Sequence, residues 1–450
     1  MTKPSQILPS ILRRVRLQRT VLPMAICCLL AMLAIRPAPA QTFSVIHAFT
    51  GGGDGAYPAA GVTIGGTGTL YGTMAYGGGI NGRTCDPRQF GCGTAFKMTR
   101  NNGGWILSPL YKFTGFNDGT TPMAPVVFGP GGLLYGSTIL GGNVGVEDCN
   151  FGGCGVVFTL QPPSFACPSA LCNWTEVPIY QFTALTDGFE PMGSLAFDQA
   201  GNIYGTTAYG GNLGCDFGEP GCGTAFQLTR SGNTWTKTTV HNFGFPPDGA
   251  LPASGVIIDR SGNLYGTAEA FGPNDNGIVF ELSPSGSGWT ETVIYSFEDF
   301  NDGGVPRGGL VMDAAGNLYG TASDGGTGRG GTVFELSPSG GGWSFSVLAS
   351  FSGIRGGGSR GSLAFDSAGN LYGTTWGDGA FGYGNVFKLT HSGGQWVYSD
   401  LYDFTNGNDG GAPPAGVTLD SAGNIYGTAG GGAPCSLSQE GCGVVWEITP

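Results

Sequence analysis

The stretch Asp313-Ala-Ala-Gly-Asn-Leu-Tyr-Gly-Thr-Ala-Ser-Asp-Gly-Gly326 decides the fold, because variants of it occur seven times in the 450-residue chain. The copies are 53 to 69 residues apart and centre on Tyr71, Tyr135, Tyr204, Tyr265, Tyr319, Tyr372 and Tyr426. A motif that recurs at near-even spacing indicates a repeat architecture rather than a single active site.

Each unit contains four short runs that are rich in β-branched and aromatic residues. In the fifth copy these runs are Gly309–Asp313, Asn317–Ala322, Thr332–Leu336 and Trp343–Phe351. Gly, Asn, Asp or Ser-Pro bounds every run, and these residues favour turns. The unit therefore predicts four antiparallel strands. Asp-x-x-Gly-Asn makes the first turn, and Ser337-Pro-Ser-Gly340 turns the third strand into the fourth.

The two ends of the chain hold complementary parts of one unit. The last copy stops after the third run Gly443–Ile448, whereas Gln41–Phe49 has the length and the Phe of a fourth run. An open solenoid needs a cap at each end, so complementary fragments indicate a closed ring. We predict an all-β, seven-bladed β-propeller with four-stranded blades, closed by the N-terminal strand as the outer edge of the last blade.

The repeated aromatic residues are predicted to pack between blades. Leu318, Tyr319 and their equivalents are assigned to inter-blade contacts, and Gly320 is expected where neighbouring blades approach closely. In six of the fourth runs a Trp lies eight residues before a Phe. We expect these Trp residues to pack between blades, and a stack of exposed sugar-binding rings is the alternative.

The first 40 residues differ from the rest of the chain. They hold six Lys or Arg, an apolar run over Val21–Ile35 and the small-residue sequence Ala38-Pro-Ala40. This pattern is typical of a secretory signal peptide that is cleaved before Gln41. The alternative is a membrane anchor, for which about 15 apolar residues are short. We therefore predict a signal peptide over 1–40 and one propeller domain over 41–450, with no membrane span after cleavage.

The composition excludes two classes of protein. The 87 Gly and 28 Pro recur in register within a chain that is 40% hydrophobic, which favours a turn-rich β protein over disorder. Residues 41–450 keep 13 of the basic and all 31 of the acidic residues, a net charge of −18. A net negative charge of this size repels nucleic acid, which is itself a polyanion. We expect a monomer, since a closed ring leaves no free strand edge.

Ten Cys residues of the exported part fall in five close pairs: Cys85 with Cys92, Cys149 with Cys154, Cys167 with Cys172, Cys215 with Cys222, and Cys435 with Cys442. An even number of Cys in an exported protein predicts disulfides. Zinc is the alternative, but no pair has CxxC spacing and no His is near a pair. We predict five local disulfides that stiffen loops.

Copies such as Gly262–Thr267 with Gly277–Leu282, and Gly316–Thr321 with Gly331–Leu336, resemble a known unit. It is the Gloeo/Verruco (GloVer) tandem repeat of exported bacterial proteins, and the resemblance covers residues 41–450. The resemblance implies a secreted or surface-bound protein and no established activity. Members often carry a C-terminal sorting segment. This chain has no such tail after its last repeat, so we expect a released or periplasmic protein.

Loops that follow the fourth and second strands are predicted to share one face. The first set repeats Asp-Gly with a Pro four residues after the Asp, at Asp54, Asp118, Asp187, Asp248, Asp302 and Asp409. These Asp residues are candidate Ca²⁺ ligands. The alternative is that each carboxylate caps its own turn. The sixth copy departs and carries Arg355 and Arg360 in this region.

The same face carries aromatic residues that are candidates for stacking on sugar rings: Tyr76, Tyr209, Phe217, Phe271, Trp376, Phe381 and Tyr383. We select Tyr76, Tyr209, Trp376 and Tyr383 as ligand-binding residues, and packing under the disulfide loops is the alternative. No catalytic motif is found, and His47 and His241 occupy the position of a Tyr in the fourth strand.

Two functions remain open from the sequence. The first is an exported, non-catalytic binding module for an extracellular glycan or a protein, with no cofactor except a possible Ca²⁺. The second is an extracellular enzyme that processes carbohydrates or lactones with an acidic, Ca²⁺-assisted site. Two or three carboxylates within ~5–9 Å in a central pocket would favour the enzyme. Evenly distributed turn-capping Asp residues would contradict it.

Overall fold

Seven four-stranded antiparallel sheets are arranged in a ring, so the chain is a seven-bladed β-propeller, as predicted. The computed structural model describes residues 41–79, 85, 91–143, 152–164, 173–183, 185–212, 214–215, 220–298, 301–353, 357–432, 434–435, 437–438 and 441–450. Phe43–Thr449 form one compact unit. The other unit, Met1–Thr42 with Pro450, lies almost entirely outside the described residues, as does the predicted signal peptide.

The strands are given in chain order, and each blade begins with its innermost strand. The first strand of the chain is β1 (Thr42–Ala48). Blade 1 contains β2 (Thr63–Ile64), β3 (Leu70–Met74), β4 (Thr94–Asn101) and β5 (Gly104–Lys112). Blade 2 contains β6 (Val127–Phe128), β7 (Leu134–Thr138), β8 (Val156–Gln161) and β9 (Thr175–Gln181). Blade 3 contains β10 (Ala196–Phe197), β11 (Ile203–Thr207), β12 (Thr224–Ser231) and β13 (Thr234–Asn242).

Blade 4 follows the short strand β14 (Gly249–Ala250) and contains β15 (Val256–Ile258), β16 (Leu264–Ala268), β18 (Ile278–Ser285) and β19 (Gly288–Ser296), while β17 (Ala270–Phe271) pairs with β14. Blade 5 contains β20 (Val311–Met312), β21 (Leu318–Ala322), β22 (Thr332–Ser339) and β23 (Gly342–Ser350). Blade 6 contains β24 (Ala364–Phe365), β25 (Leu371–Thr375), β26 (Asn385–Ser392) and β27 (Gln395–Asp403). Blade 7 contains β28 (Thr418–Leu419), β29 (Ile425–Ala429), β30 (Val444–Thr449) and, at its outer edge, β1.

Helical structure in the described part of the chain is limited to two 3₁₀ turns, Pro130–Gly132 and Leu185–Asp187. Across the described ranges, no helix is long and apolar enough to span a membrane.

The N-terminal strand closes the ring, as predicted. The Phe43 ring stacks on Tyr402 of blade 6 with centroids 3.6 Å apart, and the Phe49 amide donates to the Gly443 carbonyl at 3.0 Å. Across the closure, Arg100 of blade 1 forms a 2.9 Å ion pair with the buried Glu447 of blade 7. Strand pairing therefore holds the N-terminal strand in blade 7, the Phe43 ring joins it to blade 6, and the ion pair joins blade 7 to blade 1.

The repeated Tyr and Trp residues pack between blades, which confirms the prediction. The Tyr319 ring lies 6.1 Å from Trp396 of the next blade, and the Tyr426 ring lies 5.8 Å from Trp105 across the closure. The same contact joins Tyr71 to Trp174, Tyr204 to Trp289 and Tyr265 to Trp343. Edge-on aromatic pairs of this kind contribute about 0.5–1.5 kcal/mol each beyond the area they bury.

Glycine recurs after the Tyr for a reason that differs from the expected one. A Cβ on Gly320 would lie 2.5 Å from Cζ of Phe334, its cross-strand partner in the same blade. Gly72, Gly136, Gly205, Gly266, Gly373 and Gly427 meet the aromatic ring of their own third strand in the same way. The expectation that neighbouring blades crowd this glycine was wrong, since Phe334 and Gly320 belong to one sheet.

The Thr of the motif forms the close link between blades. The Thr321 hydroxyl donates to the Gly361 carbonyl of blade 6 at 3.2 Å, and Thr428 donates to the Ala60 carbonyl across the closure at 3.0 Å. Equivalent bonds run from Thr73 to Ala124, Ser137 to Pro191, Thr267 to Gly308 and Thr374 to Ala415. Each bond satisfies a carbonyl of an innermost segment that lies outside the sheet ladder.

The Asp-x-x-Gly-Asn turn is held by the Asp carboxylate. Asp313 accepts from the Ala315 amide, the Asn317 amide, the Asn317 side chain and the Tyr319 hydroxyl at 2.8–3.2 Å. Copies 1 and 2 lack this Asp, and in copy 2 the 3₁₀ turn Pro130–Gly132 takes its place. The turn between the third and fourth strands is Gly340-Gly341. The prediction of a Ser-Pro-Ser-Gly turn was wrong, because Pro338 pairs with Trp343 inside the hairpin.

Three of the five predicted disulfides are confirmed: Cys85–Cys92, Cys215–Cys222 and Cys435–Cys442. Cys154 is also disulfide-bonded, and its predicted partner Cys149 lies outside the described residues. The fifth predicted disulfide joins Cys167 to Cys172. Both Cys167 and Cys172 lie outside the described residues, so the structure does not confirm this disulfide and it stays a prediction.

Candidate functional site

The innermost segments of all seven blades surround a central channel of about 360 Å³. Small residues and backbone make up much of its wall, together with larger side chains such as Met123, Met192 and Leu363. The small residues are Ala59, Ala60, Gly193, Ser194, Ala253, Ser254, Gly309, Gly361, Ser362, Ala415 and Gly416. Close approach of neighbouring segments explains this composition, since a Cβ on Gly361 would lie 2.0 Å from the Gly416 amide nitrogen. The channel is therefore narrow and rigid, which suits a small ligand group.

One face of the ring carries the loops that follow the second and fourth strands, and we call it the loop face. Backbone pairing joins the two sets of loops at Ala56–Tyr76, Thr120–Leu140, Phe189–Tyr209, Gly304–Asp324 and Gly411–Gly430, and through β14 and β17. This pairing fits the sequence argument that both sets share one face. The channel opens there, because each loop leads directly into an innermost strand.

The Asp-Gly loops have the same conformation in successive blades. The residue before each Pro has a positive φ, which non-glycine residues rarely adopt, at Tyr57, Thr121, Glu190, Leu251, Val305 and Ala412. Each Pro packs on the Gly before the third strand of the preceding blade, and a Cβ on Gly277 would lie 2.5 Å from Cδ of Pro306. Such repeated strain indicates a loop that its surroundings hold in place.

The six candidate calcium-binding Asp residues cap their own loops. Asp409 accepts from the Thr405 amide and hydroxyl and from the Tyr402 hydroxyl at 2.5–3.0 Å. Asp118 and Asp302 have the same type of partners, and Asp187 also binds Lys237 of blade 3 at 2.9 Å. Asp54 and Asp248 are capped likewise.

These hydrogen bonds are those that the turn-capping alternative requires. Within the described ranges, no group of three or more His, Cys, Asp or Glu side chains lies close enough to hold a metal ion. Calcium binding stays a prediction, and a bound ion would have to compete with these donors.

His47 and His241 take the place of the Tyr that binds the loop Asp. Nε2 of His241 lies 3.0 Å from Oδ2 of Asp248, whereas Tyr295 donates its hydroxyl to Asp302 at 2.6 Å. His47 lies 3.4 Å from Asp54. Burial raises the Asp54 pKa, but hydrogen bonds from His47 and Thr50 outweigh burial and lower that pKa to about 2. The net effect of the hydrogen bonds is to favour the ionised carboxylate. Both His residues are structural.

Two arginines enter the channel mouth from neighbouring blades. Arg307 follows Pro306 in blade 5, and Arg360 occupies the equivalent position in blade 6. Among the described residues that line the channel, Arg307 and Arg360 carry a charge and the others are uncharged. Nε of Arg307 donates to Glu269 of blade 4 at 3.0 Å, which neutralises this arginine. Burial raises the Glu269 pKa, and the charges of Arg307 and Arg360 oppose that rise.

Arg360 has no carboxylate partner among the described residues. Its guanidinium carbon lies 4.2 Å from the centre of the Trp376 ring, and its Nε is buried without a hydrogen-bond partner. Burial lowers the Arg360 pKa, and the like charge of Arg307 lowers it further, while Tyr57 and Glu269 act in the opposite direction. A partly buried charge without a carboxylate partner is costly, so an anion that compensates the Arg360 charge would be stabilised here.

The predicted aromatic residues lie in different surroundings. Trp376 lies under Arg360 at the channel mouth. The Tyr76 ring is 5.6 Å from Tyr57, which is 39% exposed. The other selected residues pack inward: Tyr209 stacks on Phe189, and Tyr383 packs against the hydrophobic core between blades 6 and 7. Trp376 is thus brought together with a channel arginine, and ligand contact by all four stays a prediction.

Exposed aromatic rings are also found on the loop face. Phe381 and Phe245 are 56% and 54% exposed, and Phe116 is 49% exposed. Phe245 stacks on Phe271 with centroids 5.6 Å apart. Phe217 lies outside the described residues. Exposed rings held by a rigid framework are typical of binding surfaces.

Sequence reasoning missed the pairing of Arg307 with Glu269 and the convergence of the two arginines. The signal was present in the spacing, because Arg307 and Arg360 occupy equivalent positions in consecutive units. Arg355, which was noted with Arg360, lies outside the described residues.

A family model for the Gloeobacter/Verrucomicrobia repeat matches the chain three times, over residues 34–218, 150–364 and 312–450. These matches together span the whole propeller. No curated protein matches the sequence.

Solved structures with a similar arrangement are distant in sequence. A gluconolactonase from Xanthomonas campestris is 14% identical, with a TM-score of 0.39, and the alignment covers 71% of this chain and 82% of that one. A protein from Lactobacillus plantarum is 15% identical, with a TM-score of 0.45 and coverages of 77% and 86%. A protein of unknown function from Dyadobacter fermentans is 13% identical, with a TM-score of 0.43 and coverages of 91% and 99%. Similarity at this level says nothing about the chemistry of this chain.

Proposed function

The chain belongs to the Gloeobacter/Verrucomicrobia repeat family, and from that premise we propose that it is an exported, non-catalytic binding module whose ligand is taken at the loop face. The disulfides support export, because such bonds persist in oxidising compartments. The partner is an extracellular glycan or a surface protein, and the glycan is favoured by Trp376, whose ring contacts the channel residue Arg360.

One observation carries the proposal: the channel mouth holds an uncompensated cation against an aromatic ring. Arg360 lies on Trp376, and Tyr57 is close enough to act on the Arg360 charge. Much of the wall around them is backbone and small side chains, which have little conformational freedom to lose. A rigid, preformed site loses little conformational entropy when a ligand binds.

The distribution of carboxylates supports binding over hydrolysis. Glycoside hydrolysis requires two carboxyl groups about 5–9 Å apart on either side of the bond that is broken. The six loop Asp residues instead lie before six different blades and are engaged as turn caps, as Asp409 is. Glu269 lies beside the mouth, and its carboxylate is bound to Arg307.

The experiment is a polysaccharide and glycan binding screen on the exported chain, residues 41–450, with released sugars measured in the same wells. We expect binding without turnover. Each well is repeated with calcium and with a chelator, which tests whether the Asp loops hold a metal ion. Release of sugars would contradict the proposal and assign the enzymatic function. Failure to bind any glycan would move the proposal to a protein partner.

A further inference from the structure

We propose that the channel mouth binds the carboxylate of a uronic acid residue, with Arg360 as the group that binds the anion. This inference deepens the proposed function and rests on it. It concerns the class of ligand, whereas the proposed function concerns the loop face and the absence of turnover.

The Arg360 side chain is supported by an aromatic ring. Its guanidinium carbon lies 4.2 Å from the centre of the Trp376 ring, and its Nε is buried without a hydrogen-bond partner. A planar guanidinium binds a carboxylate through two parallel N–H···O bonds. Because Nε is shielded by the protein, the two terminal amino groups are the ones that would donate to a bound carboxylate.

The charges at the mouth are unbalanced. Arg307 is paired with Glu269, so the three groups Arg307, Arg360 and Glu269 carry one net positive charge. That charge sits in an exported chain whose formal net charge is −18. The overall field repels anions, so any anion that binds here is held by the local site rather than by general attraction. One bound carboxylate would neutralise the net positive charge of Arg307, Arg360 and Glu269.

Aromatic rings on the loop face favour a sugar acid over other carboxylates. Tyr57 and Tyr76 lie 5.6 Å apart on the loop face, and Trp376 adds a third ring. Aromatic rings offer flat apolar surfaces for the faces of sugar rings. The channel of about 360 Å³ has the size of a small-molecule site and is lined by rigid backbone, which suits one sugar residue better than a folded protein surface.

The test is calorimetric titration of residues 41–450 with four ligands. They are galacturonic acid, its trisaccharide, the methyl ester of that trisaccharide and the neutral galactose trisaccharide. The ester is the matched control, since it keeps the sugar rings and removes the charge. The monosaccharide and the trisaccharide separate a free sugar acid from a glycan. Short ligands are used because the net charge of the protein repels long polyanions.

Three variants assign the binding to the mouth. Arg360→Gln removes the charge, and Arg360→Lys keeps the charge but loses the planar fork. Arg260→Gln is the matched control, because Arg260 is exposed in the turn between β15 and β16 on the opposite face. The melting temperature of every variant is measured, so that loss of folding is recognised and Arg360→Lys replaces Arg360→Gln if needed.

We expect the acid to bind at least about tenfold more tightly than its ester, and Arg360→Gln to lose at least about tenfold, as for one charge-assisted pair. Arg260→Gln is expected to bind as the wild type does. Equal affinity for acid and ester, or wild-type affinity in Arg360→Gln, would overturn the inference. Binding of an Asp- and Glu-rich peptide in preference to the sugar acids would overturn it too. Binding of neutral glycans alone would contradict this inference and leave the proposed function intact, whereas cleavage of the trisaccharide would contradict the proposed function.

Discussion

Replacing Gly320 with Ala measures how tightly each blade is packed around its own aromatic ring. The new Cβ would lie 2.5 Å from Cζ of Phe334 and 2.8 Å from Cδ2 of Leu310. Carbon atoms pack at about 3.5–4 Å, so the buried Phe334 ring must move by about 1 Å. Overpacking of a core costs about 1–3 kcal/mol, and loss of glycine freedom in the unfolded chain returns about 0.4–1 kcal/mol. We expect the free energy of unfolding to fall by about 1–2 kcal/mol.

The measurement is guanidinium unfolding of residues 41–450, and Gly342→Ala in the same blade is the control. A Cβ on Gly342 has its nearest neighbour at 3.9 Å, so this substitution is expected to be neutral or to stabilise by about 0.4–1 kcal/mol. On a Phe334→Leu background the loss from Gly320→Ala should shrink, because the ring that causes it is gone. A Gly320→Ala protein as stable as the wild type, or an equal loss in Gly342→Ala, would refute the reasoning.

Two further predictions concern carboxylates. Asp313→Ala should lower the free energy of unfolding by about 1–2 kcal/mol, because the Ala315 and Asn317 amides and the Tyr319 hydroxyl lose a charged acceptor. Asp313→Asn, which keeps one acceptor oxygen, should lose less in the same unfolding assay, and equal losses would contradict the capping role. Burial, together with the charge of Asp118, raises the Glu176 pKa from 4.5 to about 8. The folded state therefore keeps a proton that the unfolded state releases, and stability should fall as pH rises from about 4.5 to about 8, by up to ~1.4 kcal/mol per pH unit. Glu176→Gln should remove that part of the slope from pH-dependent unfolding curves, and an unchanged slope would show that Glu176 ionises normally in the fold.

The fold was predictable because its signals repeat in register. Seven copies of one motif, and a last unit whose fourth strand lies at the N-terminus, specify the number of blades and the closure by β1. The predicted packing of Tyr319 and its equivalents is also confirmed. The turn, strand and packing preferences of the units point to the same structure, and this consistency makes the fold predictable from the sequence.

The structural roles of individual residues in the repeat, such as Gly320 and Pro338, were harder to predict. The role of Gly320 depends on the register that places Phe334 opposite it, and strand boundaries alone do not give that register. Pro338 was assigned to a turn because Ser-Pro-Ser-Gly favours turns, but the following Gly340-Gly341 pair makes a tighter hairpin. In both cases the cross-strand pairing overrides the local preference.

The site itself could be predicted only in part. Trp376 was selected as an aromatic residue on a loop, but its contact with Arg360 depends on the separation of two loops within blade 6. The ion pair between Arg307 and Glu269 joins two blades, and its partners are 38 residues apart. Contacts across a ring closure or a blade interface have no local sequence pattern, so they become visible only when the blades are assembled.

The most direct test of the account uses the tryptophan residues as reporters. Seven of the eight Trp side chains pack in the cores between blades: Trp105, Trp174, Trp235, Trp289, Trp343, Trp396 and Trp446. Trp376 alone lies at the channel mouth under Arg360. The measurement is fluorine NMR of 5-fluorotryptophan-labelled protein, residues 41–450, titrated with the galacturonic acid trisaccharide. The account predicts that one resonance shifts, and that Trp376→Phe removes it. A Trp376 resonance that stays fixed through the titration, or shifts confined to the Trp residues between blades, would contradict it.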